Sequence, residues 1–193
     1  VVLLRKSIPQ IHNLQTAVEL NVRKKHIVPL EKSLREVSER QELIEFISHA
    51  FEGVSLGDGI GLYQAQAIDD YKSKDEELLL RATDEKLNWK SISSVSLNKC
   101  NSSLSFFDAE GMRFHLPAFL ISDLKGEYGF GVEFCLTHLS EYSKAQFALL
   151  NRVQRESVRL LLNFYITTPD CEFYTVDMAN ALLGFWAEEN DRS

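Results

Sequence analysis

The chain has 193 residues, 45% of them hydrophobic and 25% charged, an ordinary globular composition that excludes a fibrous or low-complexity protein. Its net charge of −7 is unevenly spread: residues 1–40 carry eight basic and four acidic side chains, and the remainder thirteen basic and twenty-four acidic, a balance of −11. An acidic body repels phosphate backbones, so the main part of the chain is not expected to bind nucleic acid.

In chain order, Leu14, Val18 and Val22, with Ala17 beside them, predict a helix over 10–28. Arg23, Lys24 and Lys25 suit its negative end, and Pro29 then marks a break or a new start. Ser38-Glu39-Arg40-Gln41 reads as a capping box that opens a helix burying Leu43, Ile44, Phe46, Ile47, Ala50 and Phe51, with Gly53 closing it. A turn over 55–61 leads to helices over 62–71 and 75–82. Asp75, Glu76 and Glu77 favour the first turn of the second of these.

Leu104–Phe107 and Met112–Leu116 are short apolar runs around Asp108-Ala109-Glu110-Gly111. Four turn residues ending in glycine predict a β-hairpin. Pro117 is then expected at the first position of a helix that Gly126 closes. Alternating Phe130, Val132, Phe134 and Leu136 predict another strand over 130–137. Asn151–Gln154 starts a helix bearing Val158, Leu161, Leu162, Tyr165 and Ile166, which Pro169-Asp170 ends. Thr175 caps a last helix with Val176, Ala179, Leu182, Leu183 and Trp186. The expected fold is mainly α, of α+β type: a helical domain over 41–193 with a small antiparallel β element, preceded by a helical appendage over 1–40. No repeat is visible.

His115 is the first candidate for chemistry. In a strand it shares a polar face with Arg113, across the turn from Asp108 and Glu110, and a carboxylate there would orient an imidazole base. Ser102 or Ser103 would be a nucleophile if it reached His115, but neither sits in a GxSxG elbow or an SxxK motif. Asp58, Asp69 and Asp70 offer oxygen ligands without EF-hand spacing, and no metal or cofactor is expected. Gly57-Asp58-Gly59-Ile60-Gly61 and Gly126-x-x-Gly129-x-Gly131 lack the GK[ST] ending of a phosphate loop and read as turns. Phe106, Phe107, Phe114 and Phe119 read as core. Cys100, Cys135 and Cys171 show neither CxxC nor zinc spacing, which predicts reduced thiols in a cytoplasmic protein. No apolar run approaches the roughly 18 residues of a membrane span.

The segment LSFFDAEGMRFHLPAFL (104–120) resembles an uncharacterised bacterial domain family of unknown function. So do Asp58-Gly59, the run from Ala67 to Tyr71, Asp84-Glu85-Lys86 with Trp89, the patch from Leu97 to Ser103, Gly126-Glu127-Tyr128 and Leu136-Thr137-His138-Leu139. The likeness covers about residues 42–187, and it implies no catalytic residues. Small acidic bacterial domains of this kind are often accessory or immunity-like. With the acidic body and no complete catalytic constellation, the expectation is a non-enzymatic protein, of the immunity or antitoxin kind, that binds a basic protein partner. A small hydrolase centred on His115 is one alternative. The other is a regulatory domain whose basic N-terminal helix contacts nucleic acid.

Overall fold

The computed structural model describes residue 16 and residues 19–168 and 175–188. Two units divide the chain, residues 1–42 and 43–193. The expected helix over 10–28 lies partly outside the described residues. In its described part, a π-helical turn at Arg23–Ile27 leads directly into α1, Val28–Ala50. Pro29 therefore does not break the chain's helical run; it stands where a new segment, α1, starts. Its missing N–H costs little in the first turn of α1. The turn before it is wide, with Val28 N–H donating to Arg23 O, which leaves room for the proline ring. Ser38 does not open a helix either: it lies inside α1, where its hydroxyl donates to Glu42 at 3.0 Å.

The second unit begins as α1 turns Leu43 and Ile47 into the core. Gly53, at φ 72°, turns the chain after α1. Then come α2 (Leu62–Asp69) and α3 (Lys74–Thr83), which pack on each other, and a 3-10 turn at Trp89–Ser91. Next are α4 (Ser94–Lys99), a 3-10 turn at Ser103–Ser105 and α5 (Ala109–Leu124). The series closes with α6 (Glu133–Thr137), α7 (Glu141–Gln146), α8 (Arg152–Thr167) and α9 (Thr175–Leu183). Local chemistry sets many of the starts. Ser73, Ser93, Asp108, Ser140 and Asn151 each accept a backbone N–H from the first turn of the helix that follows.

Helix α5 is the centre, with eleven of its sixteen residues buried, so it is apolar on every side. Helices α4 and α7 pack against it, and α9 packs against α8 and α6. Phe51, Phe107, Phe114, Phe119, Phe147 and Trp186 are the largest fully buried side chains. Trp186 donates its indole N–H to Leu136 O at 2.8 Å, and Trp89 donates to Phe51 O at 2.8 Å.

The chain is mainly helical, but the expected β element is absent: among the described residues there is no strand. The supposed hairpin is the start of α5. Asp108 does not turn between strands; its Oδ1 accepts Gly111 N–H at 2.8 Å and caps the helix. Pro117 sits inside α5, not at its first position. It has no N–H for Arg113 O, a cost of about 3 kcal/mol that burial of the surrounding side chains must offset. The expected strand over 130–137 is also helical from Glu133, as α6.

Candidate functional site

Asp108 joins two parts of the second unit. Its Oδ1 caps α5 and also accepts Ile60 N–H at 2.9 Å, which fixes the glycine turn over 57–61. That contact needs glycine on both sides. A Cβ on Gly59 would sit 2.6 Å from Glu110 Cβ and Gly111 N, and one on Gly111 would strike Ile60 O. Arg81, on α3, closes the other side of the turn. Its guanidinium donates to Gly59 O, to Asp58 O at 2.9 Å and to Gln64 Oε1 at 3.0 Å.

Asp84 follows α3 and serves α2. Its carboxylate accepts Tyr63 N–H at 2.7 Å and Gln64 N–H at 3.3 Å, the free donors at the α2 N-terminus. Burial raises its pKa, against the lowering effect of those two N–H groups and of Arg81 and Lys86. Glu85 is held below its ordinary value, chiefly by the N–H groups of Leu87 and Asn88, and it orders the loop to Trp89.

Beneath α2 lies a cleft of about 190 Å³, lined in part by Tyr63, Asp84, Glu85, Ser93, Ser96 and His115. Tyr63 OH meets Ser96 Oγ at 3.0 Å, and Ser96 Oγ meets Ser93 Oγ at 3.0 Å. His115 forms the floor and is fully buried. Its Nδ1 lies 2.8 Å from Gly111 O; a carbonyl only accepts, so Nδ1 carries the proton and Nε2 is a bare acceptor. Nε2 is buried and has no hydrogen-bond partner. Phe107 stacks on the ring at 4.4 Å. Burial pushes the imidazole down to about 4, with smaller opposing effects from Gly111 O and Asp108.

The four residues singled out around the supposed hairpin are all on or beside the first two turns of α5, but they do not converge on one point. Asp108 is occupied by backbone N–H groups. Glu110 lies over the glycine turn, near Gly57. Arg113 is half-buried, and its Nε has no hydrogen-bond partner. Ser103 donates to Cys100 O at 2.7 Å and Ser102 to Asn101 Oδ1 at 3.2 Å, so neither is bonded to His115. The serines lining the cleft are Ser91, Ser93 and Ser96. Asp69 and Asp70 accept from Gln66 Nε2. Among the described residues no three His, Cys, Asp or Glu side chains gather to hold a metal ion.

A wider groove of about 450 Å³ lies next to the cleft and shares Ile92 and Ser93 with it. Ile44, Trp89, Ala118 and Ile121 form its apolar part, and Lys90 and Lys125 line it with Glu127. The outer surface of the α2–α3 hairpin is different in character. Residues 58–85 hold eight acidic and three basic side chains. Helix α3 buries none of its residues, leaving Leu78 53% and Leu79 70% exposed. Tyr71, between the two helices, is exposed at φ 54°.

The matching family is described as "Family of unknown function (DUF6714)"; it matches residues 39–190, so the chain belongs to it. No curated protein and no solved structure matches the chain. No helix among the described residues is long and apolar enough to cross a membrane.

Proposed function

We propose that this DUF6714 member acts by binding a basic protein partner through its α2–α3 hairpin, and not by catalysis. One observation carries this reading: α3 is an amphipathic helix with no buried residue, set in the most acidic stretch of the chain. Exposed Leu78 and Leu79 supply apolar area, and the surrounding carboxylates select for positive charge. The neighbouring groove is less suited to such a partner, because Lys90 and Lys125 would repel it. Asp108, suspected of chemistry, fixes the turn before α2 instead, and Asp84 fixes the α2 N-terminus. An acidic domain that captures a basic protein is the arrangement an immunity or antitoxin-like factor would use.

The test is affinity capture with the parent chain and with an Asp75→Lys/Leu79→Lys variant, followed by titration of the captured partner. The expected result is a basic partner bound at least tenfold more weakly by the variant, and released as salt rises. Equal binding by both chains, or binding indifferent to salt, would refute the reading.

A further inference from the structure

We propose that the groove of about 450 Å³ lined by α1, α4 and α5 binds a small organic monoanion, a carboxylate on an apolar chain or ring, with its head at Ser122 and Lys125 and its apolar part over Ala118 and Ile121. None of these residues belongs to the α2–α3 hairpin, so the site is independent of the protein partner.

Helix α5 sets the direction. Ala118, Ile121, Ser122 and Lys125 are spaced 3, 1 and 3, so they share one face, apolar within the helix and polar at its end. Ile44 of α1, Trp89 and Ile92 complete the apolar lining. The volume falls in the range of roughly 300–1,000 Å³ typical of small-molecule pockets, which are mainly apolar with a few polar groups. Ser122 marks the polar end as a site. It is 7% exposed, and its hydroxyl has no hydrogen bond among the described residues, although an unpaired buried hydroxyl is costly. Buried Ser103 and Ser157, by contrast, donate to carbonyls at 2.7 and 3.2 Å.

Charge selects a single negative head. Lys90 and Lys125 line the groove with Glu127, two cations against one carboxylate, a balance of +1 in a chain of net charge −7. Neither lysine holds a carboxylate among the described residues, and Lys90 lies over the Trp89 ring at 5.5 Å. A monoanion neutralises that balance, a dianion overshoots it beside Glu127, and a cation meets two lysines. The negative end of α5 does not bar an anion, because Ile121 O, Ser122 O and Asp123 O already accept the N–H groups of Lys125, Glu127 and Gly126.

The whole chain is titrated by calorimetry at low salt and mildly alkaline pH, where a phosphate monoester is a dianion, with octanoate, octylamine, octyl phosphate and acetate. Octanoate should bind at one molecule per chain with a Kd below about 1 mM. Octylamine has the wrong charge and acetate lacks the apolar part, so neither should bind in that range, and octyl phosphate should bind more weakly than octanoate. Lys125 and Glu127 are exposed, so their replacement should leave the urea midpoint nearly unchanged. Lys125→Glu should weaken octanoate at least tenfold, and Ser122→Ala by about tenfold through loss of a hydrogen bond to a charged group. Glu127→Gln should bring octyl phosphate to at least the affinity of octanoate. An octanoate Kd above about 1 mM, or several molecules per chain, overturns the proposal. So does octylamine, acetate or octyl phosphate binding the parent as tightly as octanoate, or octanoate binding undiminished in Lys125→Glu and Ser122→Ala, which would leave only a hydrated hydroxyl in the groove.

Discussion

Replacing His115 by phenylalanine should flatten part of the dependence of stability on pH. The folded ring is fully buried, neutral and held down to about 4 by desolvation, whereas an unfolded imidazole titrates near 6.5. Between these values the unfolded chain takes up a proton that the folded chain refuses. Stability therefore falls as pH is lowered from 6.5 to 4, by about 3 kcal/mol in all, and the loss is complete below pH 4. His115→Phe removes that loss, keeps an aromatic ring against Phe107 and removes the unpartnered Nε2. At pH 7 the variant should lie within about 1 kcal/mol of the parent, because one ordinary hydrogen bond to Gly111 O is lost while an unsatisfied acceptor disappears. Urea unfolding of both chains at pH 4.5, 5.5 and 7 gives the difference directly. It should grow in favour of the variant toward pH 4.5. A difference that stays constant across these pH values would show that the ring is not held neutral by burial.

Asp123 works in the opposite sense. Burial raises its carboxyl to about 6, against the hydrogen bond from Tyr165, so the folded chain keeps a proton that the unfolded chain loses, and stability falls as pH rises from 4 to 6. Asp123→Asn should remove that fall and leave a stability that drops more steeply on acidification than the parent's, read from the same urea series. Asp84→Ala should cost about 1–3 kcal/mol, because Tyr63 N–H and Gln64 N–H lose their acceptor, and the urea midpoint should shift with the slope unchanged. Gly111→Ala should destabilise by more than that: its methyl group meets the backbone carbonyl of Ile60, which cannot move without releasing Asp108. Burial pushes the Cys100 thiol up to about 11, and only 1% of the residue is exposed, so it should resist alkylation at pH 8 until the chain is unfolded in urea, as mass spectrometry would show.

The helix starts were legible where a short polar side chain stood before a helical run, as at Asn151, because the cap is a local interaction. The hairpin was misread for a physical reason. Helix α5 is buried on all sides, so its apolar residues show no 3.6-residue period, and a short stretch of them matches an alternating strand equally well. The signal that decides lies at Asp108, three residues before Gly111. The pattern D-A-E-G serves a hairpin turn and a helix cap alike, and only the geometry of Asp108 Oδ1 distinguishes them. Ser38 is the converse case. A serine followed by Gln41 looks like a cap, but in a long helix already under way its hydroxyl meets Glu42 instead.

The candidate site was less legible than the fold, since its parts are far apart in sequence. Asp84 acts on Tyr63 and Gln64, and Asp108 acts on Ile60, across 20 to 48 positions. Each of these carboxylates meets a backbone N–H that any residue but proline provides, so no side-chain motif marks the pair. The open face of α3 was hidden for the opposite reason. Leu78, Leu79 and Leu80 are consecutive, and hydrophobic sequence alone does not say whether a face finds a partner within the chain. The α3 surface carries apolar residues that the second unit leaves uncovered, and it is acidic, so it calls for a positive partner and raised salt should weaken the contact.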